Sequence, residues 1–273
     1  MSAPPSRGGL RARLAAPDFP WWLVALAVLG LGSALAIAAE AGLRQTISVL
    51  STGLLTTLHV TALAFAGALA LGFLVALAGR SRSRWLRNLA RFYIEIVRGV
   101  PVLVLLFWIA FAGVPALVAG WNWLATPLRN AGLLPELLVR DVSLLMRGVI
   151  ALVIAYSAFI AEIIRAGLDS VPKGQTEAAQ ALGLTPFQRL RLVILPQAIR
   201  TVLPPLGNDL VAMVKDSSLV SALGVADITQ MGKVYASGSF RFFETYSVVA
   251  YLYLLMTLSL SLAARALERR LRR

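Results

Sequence analysis

Of 273 residues, 58% are hydrophobic and 14% charged, well below the roughly 25% charged share of an ordinary soluble domain. A net charge of +13 is compatible with nucleic-acid binding, but the basic residues sit between long apolar runs, which argues for membrane orientation and against nucleic acid. There is no cysteine, so disulfides and thiolate metal sites are excluded.

Residues 1–20, rich in Pro, Gly, Ser and Arg, read as a mobile cytoplasmic tail. The following apolar run, 21–39, is longer than the core of a cleaved signal peptide, about 7 to 15 residues, and reads as a retained helix. Further runs at 52–79, 92–118, 148–166, 198–222 and 246–265 approach or exceed the roughly 20 residues that cross a hydrocarbon core. Six spans in an all-α polytopic bundle follow. The lone His59, in the second run, reads as a helix-interface residue rather than a proton relay. The longest outside loop runs from Gly120 to Met146, with Trp121 and Trp123 suited to the interface. With the N-terminus in the cytoplasm, eighteen of the 26 Lys and Arg fall in cytoplasmic segments and six outside. Both termini and the polar stretch Val171–Pro196 are then cytoplasmic.

That stretch predicts two short helices. The first runs over about 175–182, with Glu177 near its start, where the helix dipole favours a carboxylate, and Gly183 as a left-handed stop. Thr185 caps the second, with Pro186 at its first position. Phe187, Leu190, Val193 and Ile194 share a packing side, and Pro196 ends or kinks the helix. From pattern alone, a loop lying on lipid and a handle gripped by another protein are both open.

The order Glu177-Ala178-Ala179, Gly183, then Val193-x-Leu195-Pro196 resembles the EAA loop of ABC importer permeases, with Val193 where that family prefers isoleucine. The resemblance extends over residues 48–270. Gly53-Leu54-Leu55-Thr56-Thr57-Leu58, Tyr93 to Pro101, Ala161 to Arg165 and Lys215 to Val220 are similar to the polar amino-acid branch. Val100 and Ser217 depart from it, each standing where threonine is common. The resemblance implies a core permease domain over 47–270 with a coupling loop at about 167–197, preceded by a tail and an extra helix over 1–46. It also implies that Glu177, Ala178, Ala179, Gly183, Leu195 and Pro196 meet an ATP-binding cassette ATPase subunit. An extracytoplasmic solute-binding protein and a second permease half, of the same or a related chain, are the other implied partners.

The chain has no G-x-x-x-x-G-K-[ST]; Gly232-Lys233 is followed by Val234. ATP and Mg are therefore expected on the partner subunit, with no cofactor on this chain and no catalysis by it.

Charges inside spans usually face protein or a water-filled path. Glu95 with Arg98, and Glu162 with Arg165, are spaced for ion pairs within a helix, either structural or part of a gate. Pro101 permits a bend, and Pro204-Pro205 with Gly207 predicts a broken fifth helix. Beyond that break Asn208, Lys215 and Asp216 form a polar stripe, expected either to line a translocation path or to bond to a neighbouring helix. An ion- or proton-driven secondary amino-acid transporter is the alternative reading. It requires buried acids at a cation site, whereas Glu95 and Glu162 neighbour arginines in sequence.

Overall fold

The computed structural model describes residues 21–271; the expected tail over 1–20, together with Arg272 and Arg273, lies outside them. Among the described residues there are helices and turns and no strand. Helix α1 is Trp21–Ala39, α2 Ala41–Gly79, α3 Arg84–Gly99, α4 Val102–Leu124, α5 Thr126–Asn130 and α6 Leu144–Asp169. A short α7, Lys173–Ala181, and α8, Pro186–Arg189, precede α9 Leu195–Asp216, α10 Ile228–Ser239 and α11 Phe242–Leu271.

The buried positions of α2 include Gly53, Thr57, Thr61, Ala64, Ala68, Gly72 and Ala76, a stripe of small residues close to every fourth position. Such a stripe lets backbones approach, which is how helices associate where lipid removes the hydrophobic drive between them. Gly67 and Gly72 meet Val153 and Ile160 of α6, where an added Cβ has no room. His59, expected at a helix interface, lies on the side of α2 that the other described helices leave exposed.

Four described helices, α2, α4, α6 and α11, are long and apolar enough to cross a membrane. Of the six spans expected, α1 is apolar but among the shorter helices, and two further runs shift. The run 92–118 is not one apolar span: the helix stops at Gly99, Pro101 caps a new one, and α3 before the break is charged on one side. The run 198–222 divides between α9, which starts earlier at Leu195, ends at Asp216 and is too polar to qualify by hydropathy, and a 3-10 stretch over Ser217–Leu223. Helix α9 is also unbroken, carrying Pro204 and Pro205 inside it. Packing on both sides of the prolines accounts for this. Ala198 and Val202 seat against Gly167 of α6 below them, and Gly207 against Ala264 of α11 above.

Two widened π turns have a common cause. Ile109–Gly113 lies just before Pro115, and Leu190–Ile194 just before Pro196. Proline has no N–H and its ring crowds the carbonyl four residues back, so a wider turn relieves the clash. In the first case the Ala110 carbonyl, left without a backbone donor, accepts from Arg147 Nη1 at 3.2 Å. Arg147 is buried and also donates from Nε to Val142 O at 2.9 Å and from Nη2 to Val139 O at 2.5 Å.

Candidate functional site

The polar stretch after α6 folds into two short helices joined at Gly183, as its residues predict. Gly183 adopts φ +76°, its N–H donates to Gln180 O at 3.0 Å, and the Leu184 N–H reaches Ala179 O at 3.1 Å. This pair of bonds is the left-handed stop that satisfies the last carbonyls of a helix. Ala179, at 4% exposure, is the buried member of α7. Thr185 accepts from Gln188 N at 3.3 Å while Gln188 Oε1 accepts from Thr185 N at 2.9 Å, the reciprocal cap that starts α8. Arg189 Nη1 donates to Gln180 Oε1 at 2.9 Å and ties the two helices together.

Two details depart from the sequence reading. Helix α7 begins at Lys173, so Glu177 sits in its second turn, away from the strongest part of the N-terminal dipole. Phe187 and Leu190, expected on a packing side with Val193 and Ile194, are exposed, Phe187 at 69%, and Leu182 is 82% exposed. Pro196 is the second residue of α9, joined to α8 through the π turn, so the chain runs on into the next span, the second of the two outcomes expected for it. Glu177 and Ala178 are exposed, and Leu195 and Pro196 lie exposed at the head of α9.

The charges above this loop form a ladder instead of two separate pairs. Arg98 pairs with Glu162 across helices, not with Glu95, and its guanidinium lies 5.4 Å from the Phe159 ring centroid. Arg165 is 3.7 Å from Glu162 and 3.5 Å from Asp169, and Asp169 in turn pairs with Arg80. Opposite charges therefore alternate from α3 along the last turns of α6 to the end of α2. Glu95 makes no ion pair among the described residues; it borders a cavity of about 270 Å³ with Arg91, Glu162 and Arg165. Pro101 stands at the break between α3 and α4.

Asn208, Lys215 and Asp216 are not brought together. Asn208 borders a second cavity of about 270 Å³ with Ser261, Arg265 and Glu268 of α11. Asp216 accepts from Tyr156 OH of α6 at 2.8 Å, and Lys215 is exposed. The residue after Asn208, which sequence reasoning passed over, has one carboxylate oxygen buried without a hydrogen-bond partner: Asp209 Oδ2.

A larger omission lies after α9. Asp227 is fully buried: Oδ1 accepts from Gln230 N at 2.8 Å and caps α10, and Oδ2 accepts from Tyr253 OH of α11 at 3.1 Å. The Tyr253 hydroxyl is 3.0 Å from Thr229 Oγ1, and Ile228 N donates to Thr57 Oγ1 of α2 at 3.3 Å. Gly53, one turn before Thr57, leaves room for the Asp227 backbone. Helix α2 and the consecutive α10 and α11 meet in this knot. The only sequence signal was an aspartate before a helix, which is common to many caps.

Residues 68–273 match the family of binding-protein-dependent transport system inner membrane components. The chain belongs to that family. This permease is 38% identical over 227 residues to the Glutamine transport system permease protein GlnP of Escherichia coli (strain K12), covering 83% of this chain and 94% of that protein. It is 36% identical over 227 residues to the Probable glutamine ABC transporter permease protein GlnM of Bacillus subtilis (strain 168), covering 83% and 95%. A crystal structure of an amino acid ABC transporter with histidines matches with a TM-score of 0.69 at 36% identity, over 84% of this permease and 97% of that chain. An inward-facing MetNI methionine ABC transporter matches with a TM-score of 0.64 at 21% identity, over 84% and 99%, which bears on the fold alone. The bundle is thus an ABC importer permease architecture, and the protein is an inner-membrane transport component.

Proposed function

We propose that this permease forms half of the membrane path of an ATP-driven importer for a polar amino acid, and that a separate ATPase drives it through the loop 173–196. One observation carries the coupling role. The loop is rigidly built at Gly183 and Thr185, yet it leaves Leu182, Phe187 and Glu177 uncovered. Large apolar residues on a well-ordered polar loop mark a surface that a partner covers. Ala179 holds the turn from inside; Glu177, Ala178 and the exposed apolar pair meet the ATPase; Leu195 and Pro196 pass its motion into α9. The partner binds ATP and Mg and performs the hydrolysis.

A second permease half, the same or a related chain, completes the path, and an extracytoplasmic solute-binding protein delivers the solute to its outer face. Both termini face the cytoplasm. The glutamine named for two relatives and the histidine of the structural neighbour support a polar amino acid as solute. The charge ladder of Arg98, Glu162 and Arg165, with Glu95 facing its cavity and Pro101 at the break, is a gate at the cytoplasmic end. Asn208 beside its cavity, Asp216 at its bond to Tyr156, and Lys215 border the path. Family membership speaks against an ion- or proton-driven carrier.

Glu177→Lys tests the coupling. The purified complex is expected to lose its ATPase subunit, or to keep it with solute uptake at least ten-fold slower. Full uptake with the subunit retained refutes the coupling role.

A further inference from the structure

The turn between α2 and α3 and the start of α3 carry Arg80, Arg82, Arg84, Arg87 and Arg91, with no carboxylate before Glu95. Three of the five have work within the chain. Arg80 pairs with Asp169, Arg87 donates from Nη1 to Ser81 O at 2.9 Å and Arg82 O at 3.1 Å, and Arg91 borders the cavity that holds Glu95 and Glu162. Arg82 and Arg84 are exposed and form no ion pair among the described residues.

Beside them begins an uncovered apolar face. Trp85 is 87% exposed, and Leu89, Phe92 and Ile96 follow it at positions four, seven and eleven residues on, all exposed. These positions share one side of the helix, while Ala90 and Val97 are buried on another. Helix α3 thus has a packed side, a charged side and an apolar side that this chain leaves open. The turn directly follows α2, whose last turns also expose Phe73, Leu74 and Leu77, so the arginines sit where an apolar span reaches water.

We propose that Arg82, Arg84 and Trp85 hold the headgroup of an anionic phospholipid whose acyl chains lie along Leu89 and Phe92. Two uncompensated guanidiniums at one end of an apolar stripe match a phosphate joined to hydrocarbon tails, and arginine takes phosphate oxygens in two-pronged hydrogen bonds. An indole at the same level suits the headgroup boundary. Charge argues against a second copy of the chain here, because a two-fold contact at this turn sets arginine against arginine. The Arg80–Asp169 pair fastens the turn to the end of α6, which leads through Ser170–Pro172 into α7. A bound lipid therefore steadies the base of the 173–196 loop.

The test uses the purified transporter complex in nanodiscs of equal parts phosphatidylglycerol and phosphatidylcholine, with retained lipids counted by native mass spectrometry. The unaltered protein is expected to retain phosphatidylglycerol in preference to phosphatidylcholine. Arg82→Gln with Arg84→Gln should weaken that retention roughly ten-fold, and Arg82→Lys with Arg84→Lys should restore most of it. Equal retention of both lipids by the unaltered protein overturns the proposal, and this arm stands even where the glutamine variant does not assemble. Undiminished phosphatidylglycerol in the glutamine variant also overturns it. Loss of the ATPase subunit with lipid retention unchanged assigns the patch to the ATPase instead.

Discussion

The 173–196 loop and the knot at Asp227 are built on opposite plans. The loop closes on itself: its cap, its left-handed stop and the Arg189–Gln180 bond all join residues within ten positions, and its large apolar side chains point away. The knot is made of Thr57, Asp227, Thr229 and Tyr253, draws on three elements, and hides a carboxylate completely. A handle has to be stiff and uncovered, whereas a brace between helices has to be satisfied and buried. Damage to the knot should therefore cost stability, and damage to the handle should cost transport.

The largest effect is expected at the knot. Asp227→Ala removes the cap of α10, leaves the Gln230 N–H without its acceptor and takes one of the Tyr253 hydroxyl's two partners, a loss of about 2 kcal/mol. Thermal unfolding of the purified complex should shift strongly downward, and Asp227→Asn, which keeps one acceptor, should shift it less. Equal melting for Asp227→Ala and the unaltered protein would dissolve the contrast between the regions.

At the handle, Gly183→Val forces a β-branched residue into φ +76°, at roughly 1–2 kcal/mol or more confined to the loop. Solute uptake is expected to fall several-fold with the melting temperature nearly unchanged. A large drop in melting temperature would show that the loop braces the bundle after all.

The smallest effect sharpens the comparison at the ladder between the two. Glu162→Gln weakens its contacts to Arg98 and Arg165, which are half-exposed and worth about 0.2–1 kcal/mol each. Stability should barely move. If Glu162 is part of a gate, ATP hydrolysis without solute should rise; an unaltered basal rate would leave it a plain structural pair.

The loop was legible in the sequence because it is local: Gly183 and Thr185 do what glycine and threonine do wherever such a turn occurs. The class of fold was legible because apolar length alone decides it. The errors arose where packing overrides a local rule. Pro204 and Pro205 predict a break, yet the helix continues between Gly167 and Gly207 contacts that no local pattern reveals. Spacing pairs Arg98 with Glu95, but Glu162 comes alongside only once α3 lies against α6. Asp227 gave no warning, because its partner Tyr253 lies on the next helix and the bond from neighbouring Ile228 N to Thr57 spans most of the chain.

The most direct test of the central claim uses the absence of cysteine from this chain. With Gln180→Cys as its single thiol, exposed on α7, the protein is expected to resist a membrane-impermeant maleimide in intact cells and to react in inside-out vesicles unless the ATPase subunit shields it. Labelling of that thiol from outside intact cells would put the loop on the wrong side of the membrane and contradict the account.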